Sequence, residues 1–418
     1  MNAPAASPAE VRLVPVPAAE YGAFRRRVIF SGCKWDPQVG DVNTVADCIA
    51  VLSADCARRL ASWAEMLAAE TMAAETALAG RPDLWRELAL PWPVRRALRE
   101  AAGRPHTDGV RVLRFDLHPT TSGWAVSEVN SDVPGGFAEA TVLPRLASAF
   151  VAGGTVHGDV GEALSTGFTA RLPGGARVAL VHATSYADDR QVMHFLGEAL
   201  ARRGLTPLLV APDHLRWAGG RVTCLAEGQE GEVQAVVRFF PVEWLPLLPR
   251  AADWRGYFRH TVPASNHATA ILTQSKRLPL LWDRLGLASP VWRQLLPETR
   301  DPRQAEWRRD RDWILKPALG RVGEAVSIPE VTPAAEWRRI AWSARLSPRD
   351  WVAQRRFQSR PLPGPHGDRH LVVGVFTVNG RAAGLYGRLA TQPRIDQYAQ
   401  DVAVVVQGPV KRTDSHDA

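Results

Sequence analysis

The sequence predicts an α+β protein with more than one domain, and three observations support this. An Ala/Leu/Arg-rich stretch from Val42 to Ala102, broken by prolines, has the apolar spacing of about three helices. A buried-type strand at 177–182, an amphipathic helix at 189–203 and a second strand at 207–210 form a β-α-β unit. The last part of the chain alternates strands and turns. These later strands are predicted at 312–317, 350–357, 370–378 and 382–390.

Length and composition limit the class of protein. A chain of 418 residues exceeds the usual size of a single core, and 46% hydrophobic residues with 15 Trp indicate a globular protein. The net charge of +8 suits anionic ligands. The arginines are scattered and form no basic block with interleaved aromatic residues, so we predict no nucleic-acid partner. The residues up to about Pro17 are predicted to be a mobile tail.

The cysteines and the apolar runs of the sequence indicate the cellular compartment. The four cysteines form no CxxC pair and have no metal-ligand spacing with histidine. We therefore expect neither a disulfide framework nor a zinc site. No apolar run approaches the length of about 18 to 20 residues that spans a bilayer. The sequence therefore predicts a cytoplasmic protein without a membrane partner.

Two neighbouring segments, 110–118 and 123–130, are predicted to form an antiparallel hairpin. The strand period of two puts Arg114, Asp116 and His118 on one face of the first segment, with apolar residues on the other. The link between the segments is short enough for a hairpin. Polar groups therefore converge on one face of this strand pair.

The second strand adds a carboxylate and an amide, Glu128 and Asn130, to the same face. A register in which paired residue numbers sum to about 242 places Arg114 opposite Glu128, with Asp116 on the diagonal. Carboxylate and amide oxygens are ligands of Mg²⁺, and an arginine can bind a phosphoryl group with two hydrogen bonds. The alternative is a solvated face with a cross-strand ion pair. The following Gly135-Gly136 indicates close approach of the backbone to another group.

Lysine is rare, because arginine fills most cationic positions of this chain. The only lysines are Lys34, Lys276, Lys316 and Lys411. A compact ammonium is therefore retained at few places. Lys316 ends a predicted strand and leads into Gly320-Arg321-Val322-Gly323, where glycines would let backbone N–H groups approach a phosphate. Lys276 is predicted on a helix within 267–287. Each of these two lysines can instead be a solvated surface cation.

Two further positions are candidates for ligand binding. Trp351-Val352-Ala353-Gln354 has the pattern of a buried strand with a polar end, which suits a hinge whose backbone faces an adenine ring; the alternative is an ordinary core strand. Arg388 follows Gly384-Leu385-Tyr386-Gly387 and is a candidate ligand of phosphate or carboxylate, or else a surface arginine.

Taken in order, these motifs resemble the ATP-grasp ligases of the glutathionylspermidine synthase type, and the resemblance covers roughly residues 105–405. In chain order the matching stretches are Arg114-x-Asp116, Glu128-x-Asn130, Phe240-Pro241-x-Glu243-Trp244, Ser275-Lys276, Leu280-Leu281-Trp282, Lys316-Pro317, Gly320-Arg321-x-Gly323, Gln354 and Ala383-Gly384-Leu385-Tyr386-Gly387-Arg388. The metal motif precedes the nucleotide lysines, which is the order of circularly permuted ATP-grasp proteins.

The resemblance implies an ATP-grasp fold in permuted order, with a β-α-β pre-ATP-grasp-like accessory domain and an N-terminal helical segment. It implies that Asp116, Glu128 and Asn130 bind Mg²⁺ and that Arg114 acts in catalysis by stabilising the phosphoryl-transfer transition state. The residues that it assigns to ATP are Lys276, Lys316, Gly320, Arg321, Gly323, Gln354 and Arg388.

The resemblance also implies an activity. Members of this family use ATP to phosphorylate a carboxylate, which an amine then attacks to form an amide. The expected partners are a small-molecule or peptide carboxylate and an amine. Phosphoryl transfer depends on positioning and charge neutralisation, so the absence of a Ser/His/Asp or Cys/His set in the sequence agrees with it.

We predict four regions. Residues 1–104 form an N-terminal tail and helical region, and 105–170 form the metal-binding half of the ATP-grasp core. Residues 171–262 form the accessory domain, and 263–418 form the ATP-binding lobes.

Two alternatives remain open at this stage. The chain could be a non-catalytic nucleotide- or peptide-binding protein on the same scaffold, which would bind ATP with Mg²⁺ without turnover. It could also be a basic nucleic-acid-binding protein, which would need strongly salt-dependent binding. The sequence contains no signal for the oligomeric state or for the identity of the acyl donor and the amine.

Overall fold

The computed structural model describes residues 10–32, 34–103, 109–320, 326–328 and 330–408. The α-helices within these ranges are α1 (Ala18–Ser31), α2 (Ala54–Ala79), α3 (Trp92–Ala101), α4 (Phe137–Ala147), α5 (Val160–Thr169), α6 (Ala187–Arg202), α7 (Ile271–Gln274), α8 (Pro290–Leu295) and α9 (Ala334–Leu346).

The strands of the same ranges are β1 (Val11–Pro15), β2 (Gln38–Val39), β3 (Val42–Asn43), β4 (Val45–Ser53), β5 (Val112–Thr120), β6 (Gly123–Asn130), β7 (Gly154–Thr155), β8 (Arg177–Val181), β9 (Thr206–Val210), β10 (Leu215–Ala218), β11 (Arg221–Cys224), β12 (Gly231–Val233), β13 (Ala235–Arg238), β14 (Ala264–Ser265), β15 (Thr299–Arg300), β16 (Trp313–Pro317), β17 (Trp351–Arg355), β18 (His370–Val378), β19 (Arg381–Ala390) and β20 (Gln400–Gln407).

A large mixed sheet forms the centre of the fold. Its strand order is β1-β4-β20-β19-β18-β5-β6, with β7 also paired to β20. Strands β4 and β20 run parallel, and the other neighbours run antiparallel. Helix α2 packs in the core on one face of this sheet, and α1 and α4 pack in a core that includes residues of β4 and β20. The mixed sheet with packed helices confirms the expected α+β class.

Three segments differ from the sequence prediction. Val45–Ser53, expected to be helical, is the strand β4, which is buried along most of its length. A short apolar run has no periodicity that separates a buried strand from a buried helix. Parallel pairing with β20 makes this segment a strand. Part of the predicted tail forms β1, which pairs with β4. Strand β20 itself was not predicted.

A second, parallel sheet contains the predicted β-α-β unit. Strands β8 and β9 pair in parallel and are connected by α6, and the sheet continues through β13 and β14. A third, antiparallel sheet is formed by β15, β17 and β16, against which α9 packs. Strands β16 to β19 lie close to the positions predicted from alternation. The proposed boundaries at residues 104, 170 and 262 remain predictions.

None of the described helices is both long enough and apolar enough to cross a bilayer.

A buried ion pair joins the second sheet to the end of β6. The Arg238 guanidinium at the end of β13 lies 2.5 Å from the Asp132 carboxylate, and both side chains are almost fully buried. The same carboxylate accepts a hydrogen bond from the backbone N–H of Val242 at 3.0 Å. A buried carboxylate of this kind is tolerated because it has a cationic partner.

We expect Arg238→Met to reduce the free energy of unfolding by about 3–5 kcal/mol, because it leaves the Asp132 charge buried without its cation. Urea denaturation measures this change. The double variant Arg238→Met/Asp132→Leu should recover part of the loss. Arg81→Met breaks the exposed Arg81–Asp83 pair and serves as the control, with a change close to experimental error. An equally small effect of Arg238→Met would contradict the argument.

Candidate active site

The hairpin β5–β6 carries the predicted polar set, but in a different register. Asp116 pairs with Glu128 and Arg114 with Asn130, so the expected pairing of Arg114 with Glu128 is wrong. The strands extend to a two-residue turn, and a bulge shifts the register after Asp116. The bulge leaves Ser127 without a register partner. Residues of a bulge are reoriented relative to the ladder, which matters here because the Ser127 carbonyl faces the site.

Arg114 and Asp116 form a two-point ion pair on β5. The Nε and Nη2 atoms of Arg114 lie 2.8 and 2.9 Å from the two Asp116 carboxylate oxygens. Nη1 donates to the Gly135 carbonyl at 2.6 Å, and the guanidinium lies 4.8 Å from the centre of the Tyr386 ring. Burial alone would lower the pKa of Arg114, but the Asp116 carboxylate outweighs burial and raises it. Arg114 is therefore a fixed cation.

Two glycines make room for this pair. Gly136 has a φ of 92°, and a side chain there would lie 2.9 Å from atoms of the Tyr386 ring. Gly374, on β18 beside Asp116, would place a side chain 2.8 Å from the Cδ of Arg114. The predicted close approach at Gly135-Gly136 is thus to protein groups, the Tyr386 ring and the Arg114 guanidinium.

Glu128 is the point where distant parts of the chain meet. The Lys276 ammonium lies 2.8 Å from its carboxylate and donates to the Gly320 carbonyl at 2.7 Å. Burial would raise the pKa of Glu128, but Lys276 and, less strongly, Lys316 outweigh it and lower the pKa to about 2. Lys276 follows the short helix α7 in a turn, so its predicted place on a long helix within 267–287 is wrong.

Lys316 reaches the same hairpin from β16. Its ammonium donates to the Gln354 side-chain oxygen at 2.7 Å and to the Ser127 carbonyl at 3.3 Å. Burial and the neighbouring Lys276 charge lower the pKa of Lys316 to about 8, although Glu128 acts in the opposite direction. Two lysines that are 40 positions apart thus lie at one carboxylate-bearing hairpin.

The other candidates lie around this centre. The Gln354 amide is buried between Lys316 and the Thr299 hydroxyl, to which it donates at 2.9 Å. Gly320 lies at the end of a described segment, and a side chain there would clash with the ring of Pro317. Arg321 and Gly323 lie outside the described residues. Lys411, a lysine not assigned to the site, lies outside them as well.

Arg388 belongs to a neighbouring buried cluster. It donates to the carbonyls of Asp396 and Ala399 at 2.8 and 3.0 Å, and its Nε lies 3.9 Å from the Asp401 carboxylate. Asp401 also accepts a hydrogen bond from the Tyr386 hydroxyl at 2.9 Å. Arg388 therefore connects to Arg114 through Asp401 and Tyr386.

Lys34 lies in the same cluster, and the motif search missed it. Its ammonium lies 3.0 Å from Asp401, 3.2 Å from Glu139 and 3.3 Å from Asp36. Burial would lower the pKa of Lys34, but the three carboxylates outweigh burial and raise it. The rarity of lysine was the one sequence signal for this position.

The donor set at the hairpin fits a magnesium ion. Asp116 and Glu128 are register partners, and the Asn130 amide donates to Asp116 at 3.0 Å, so two carboxylates and one amide lie together. Mg²⁺ takes one or two carboxylates and completes its shell with water and phosphate oxygens. Within the described part of the chain, no group of three or more His, Cys, Asp or Glu residues is placed to hold a metal. A magnesium site at the hairpin would therefore depend on the Asn130 amide oxygen and on oxygens of the bound ligand.

The fold and the site define a mixed α+β protein in which two lysines and a carboxylate pair converge on one hairpin. The chain belongs to the glutathionylspermidine synthase preATP-grasp family, whose model matches residues 23–407. This confirms the resemblance found in the sequence motifs.

One solved structure agrees with this chain at the level of the fold, and a second match is weaker. An apo glutathione synthetase-like effector from Globodera pallida is 10% identical, with a TM-score of 0.60, and the match covers 93% of this chain and 99% of that one. A candidate gamma-glutamylcysteine synthetase from Methylobacillus flagellatus KT is 11% identical with a TM-score of 0.43, and the match covers 80% and 86%. No curated protein matches the chain.

We expect Lys276→Met to raise the pKa of Glu128 well above about 2, because burial then loses its strongest opposing charge. A pH titration of the Glu128 side-chain carbon by NMR measures this. Lys276→Arg keeps a cation at the position and should leave the pKa low. An unchanged pKa in Lys276→Met would show that Lys276 does not control this carboxylate.

Proposed function

We propose that the chain is an ATP-dependent carboxylate–amine ligase that forms an amide through an acyl-phosphate intermediate, as the glutathionylspermidine synthase type does. The carboxylate and the amine belong to small molecules or peptides. Family membership over residues 23–407 supports ligase chemistry of this type.

The convergence of Lys276 and Lys316 on the hairpin is the observation that carries the proposal. Each ammonium contacts β6, Lys276 through the Glu128 carboxylate and Lys316 through the Ser127 carbonyl. Both side chains are largely buried. Two cations held beside the Glu128 carboxylate suit a ligand that brings both negative charge and a divalent cation, and ATP with Mg²⁺ is such a ligand.

Each group has a role in this proposal. Lys276 and Lys316 neutralise the phosphate oxygens, and the Gly320 carbonyl and the Gln354 amide hold the two ammonium groups in place. Arg114, fixed by Asp116, stabilises the charge that develops on the transferred phosphoryl group. Gly323, Arg321 and Arg388 remain candidate ATP contacts.

The metal would be held by Asp116, Glu128 and the Asn130 amide oxygen, and when bound it would neutralise charge on the phosphates. In the structure, Arg114 and Lys276 neutralise these carboxylates. A divalent cation bound here would share these carboxylates with Arg114 and Lys276. Lys276, which lowers the pKa of Glu128, also keeps that carboxylate ready as a ligand.

The chemistry after ATP binding follows from these charges. The acceptor carboxylate attacks the terminal phosphorus, and ADP leaves. The amine then attacks the acyl carbon, forming the amide and releasing phosphate. Water must be excluded while the acyl phosphate exists, because it would hydrolyse.

We expect Asp116→Ala and Glu128→Ala to abolish Mg²⁺-dependent ADP release while the chain stays folded. The assay measures ADP against a panel of amino acids, short peptides and polyamines, with mass detection of the adduct. Asp55→Ala changes an exposed carboxylate and is the control. Wild-type turnover in either variant would contradict the metal assignment. ATP binding without turnover across the panel would favour the non-catalytic binding protein.

We expect ATP affinity to fall as the pH rises through about 8, the pKa of Lys316, because the charged ammonium is the form that binds phosphate. Bound phosphate favours the charged form, so binding near this pH should take up a proton. Calorimetry in buffers of different ionisation enthalpy measures the uptake. Lys316→Met should bind more weakly and lose this pH step. A step that persists in Lys316→Met would assign it to another group.

A further inference from the structure

Gln274 lies at the junction between the metal-type hairpin and the lysine segments. It is the last residue of α7 and is 5% exposed. Its side-chain oxygen accepts hydrogen bonds from the backbone N–H groups of Ser131 and Asp132, both at 2.8 Å. These two residues directly follow Asn130 at the end of β6, where pairing with β5 stops. Gln274 therefore accepts hydrogen bonds from two donors that lie beyond the β5–β6 pairing.

The same short segment reaches the other side of the site. Two residues after Gln274, the backbone N–H of Lys276 donates to the Ala318 carbonyl at 2.9 Å. The Lys276 side chain then contacts Glu128 and Gly320. One stretch of three residues thus bonds to the end of β6 and to the backbone that follows Lys316. The relative position of the Glu128 carboxylate and both lysines depends on this stretch.

Other bonds already hold the end of β6 to the rest of the fold. The Asn266 amide donates to the carbonyls of Ser131 and Asp132 at 3.0 and 3.1 Å, and the Asp132 carboxylate pairs with Arg238. Loss of the Gln274 oxygen would leave these contacts in place. The Ser131 hydroxyl, which lies 2.6 Å from the Thr273 hydroxyl on α7, would also keep its bond, so the strand end would remain folded. Its position against the Lys276 segment would change, because the two backbone N–H groups would lose the Gln274 acceptor.

We propose that Gln274 is a positioning residue that sets the distance between the Lys276 ammonium and the Glu128 carboxylate, and through it the magnesium dependence of nucleotide binding. The magnesium part rests on the proposed function. Gln274 itself touches neither nucleotide nor metal in this proposal. It acts by fixing the backbone of β6 at residues 131 and 132 relative to residue 276.

The test compares two substitutions of Gln274 that differ in whether the side chain can accept a hydrogen bond. Gln274→Met keeps the length of the side chain and removes the acceptor, whereas Gln274→Glu keeps an oxygen that can accept both N–H groups. Thr71→Val is the matched control. It removes the acceptor of the Trp292 indole N–H, a buried donor on helix α8, while keeping the volume.

The first measurement is the calorimetric affinity for ATP with magnesium and with EDTA. We expect Gln274→Met to lose about tenfold or more of the gain in affinity that magnesium gives the wild type, since small displacements of charged groups carry large penalties. Gln274→Glu should keep most of that gain, and Thr71→Val should keep all of it. A wild-type magnesium dependence in Gln274→Met, with only a lower unfolding midpoint, would overturn the proposal and leave Gln274 a structural residue.

The second measurement needs no nucleotide. In a crystal structure of Gln274→Met, the distance between the Lys276 ammonium and the Glu128 carboxylate, 2.8 Å in the wild type, should lengthen beyond hydrogen-bonding distance, while Thr71→Val should leave it unchanged. If the wild type binds no ATP, the ligase proposal fails, but this distance still decides the positioning role. An unchanged distance in Gln274→Met would overturn that role whatever the activity.

Discussion

The ion pair between Lys276 and Glu128 is the contact on which the site depends. It joins a strand of the central sheet to a turn far along the chain, and the same ammonium reaches the carbonyl of Gly320. A carboxylate as enclosed as Glu128 stays ionised because a cation lies within hydrogen-bonding distance. Beside this pair, the lysine segments reach the hairpin through the Lys316 ammonium and the Gln274 side-chain oxygen, which bond to backbone groups of residues 127, 131 and 132. The attraction between Lys276 and Glu128 thus holds the hairpin against the Lys276 segment and also keeps the carboxylate ionised.

The sequence predicted the composition of the site better than its geometry. The side chains of Arg114, Asp116, Glu128 and Asn130 do lie together, because a strand period of two places alternate residues on one face and a register shift of two residues preserves that face. The register itself was wrong by two. A one-residue bulge and a two-residue turn decided it, and neither leaves a mark in the hydrophobic pattern. Only the paired strand reveals the extra residue at Ser127.

The sequence also failed to predict elements whose pairing partners lie far away in the chain. The β8–α6–β9 unit and strands β16 to β19 were found because their patterns are local. Strand β4 was taken for helix because its apolar run lacks alternation, and its identity depends on pairing with β20 near the other end of the chain. The Lys34 cluster was missed for a related reason. Asp36 is a near neighbour in sequence, but Glu139 and Asp401 come from two distant segments that only the fold brings together.

The position of β20 has a consequence for how the protein is made. This strand lies between β4 and β19, so the central sheet contains a gap until residues 400–407 have been synthesised. During translation β1 and β4 are made first, and one edge of β4 keeps its backbone N–H and C=O groups unpaired while most of the polypeptide leaves the ribosome. Pairings this distant in sequence form slowly, and exposed edges can pair with another chain. The nascent chain therefore carries an open sheet edge until β20 inserts.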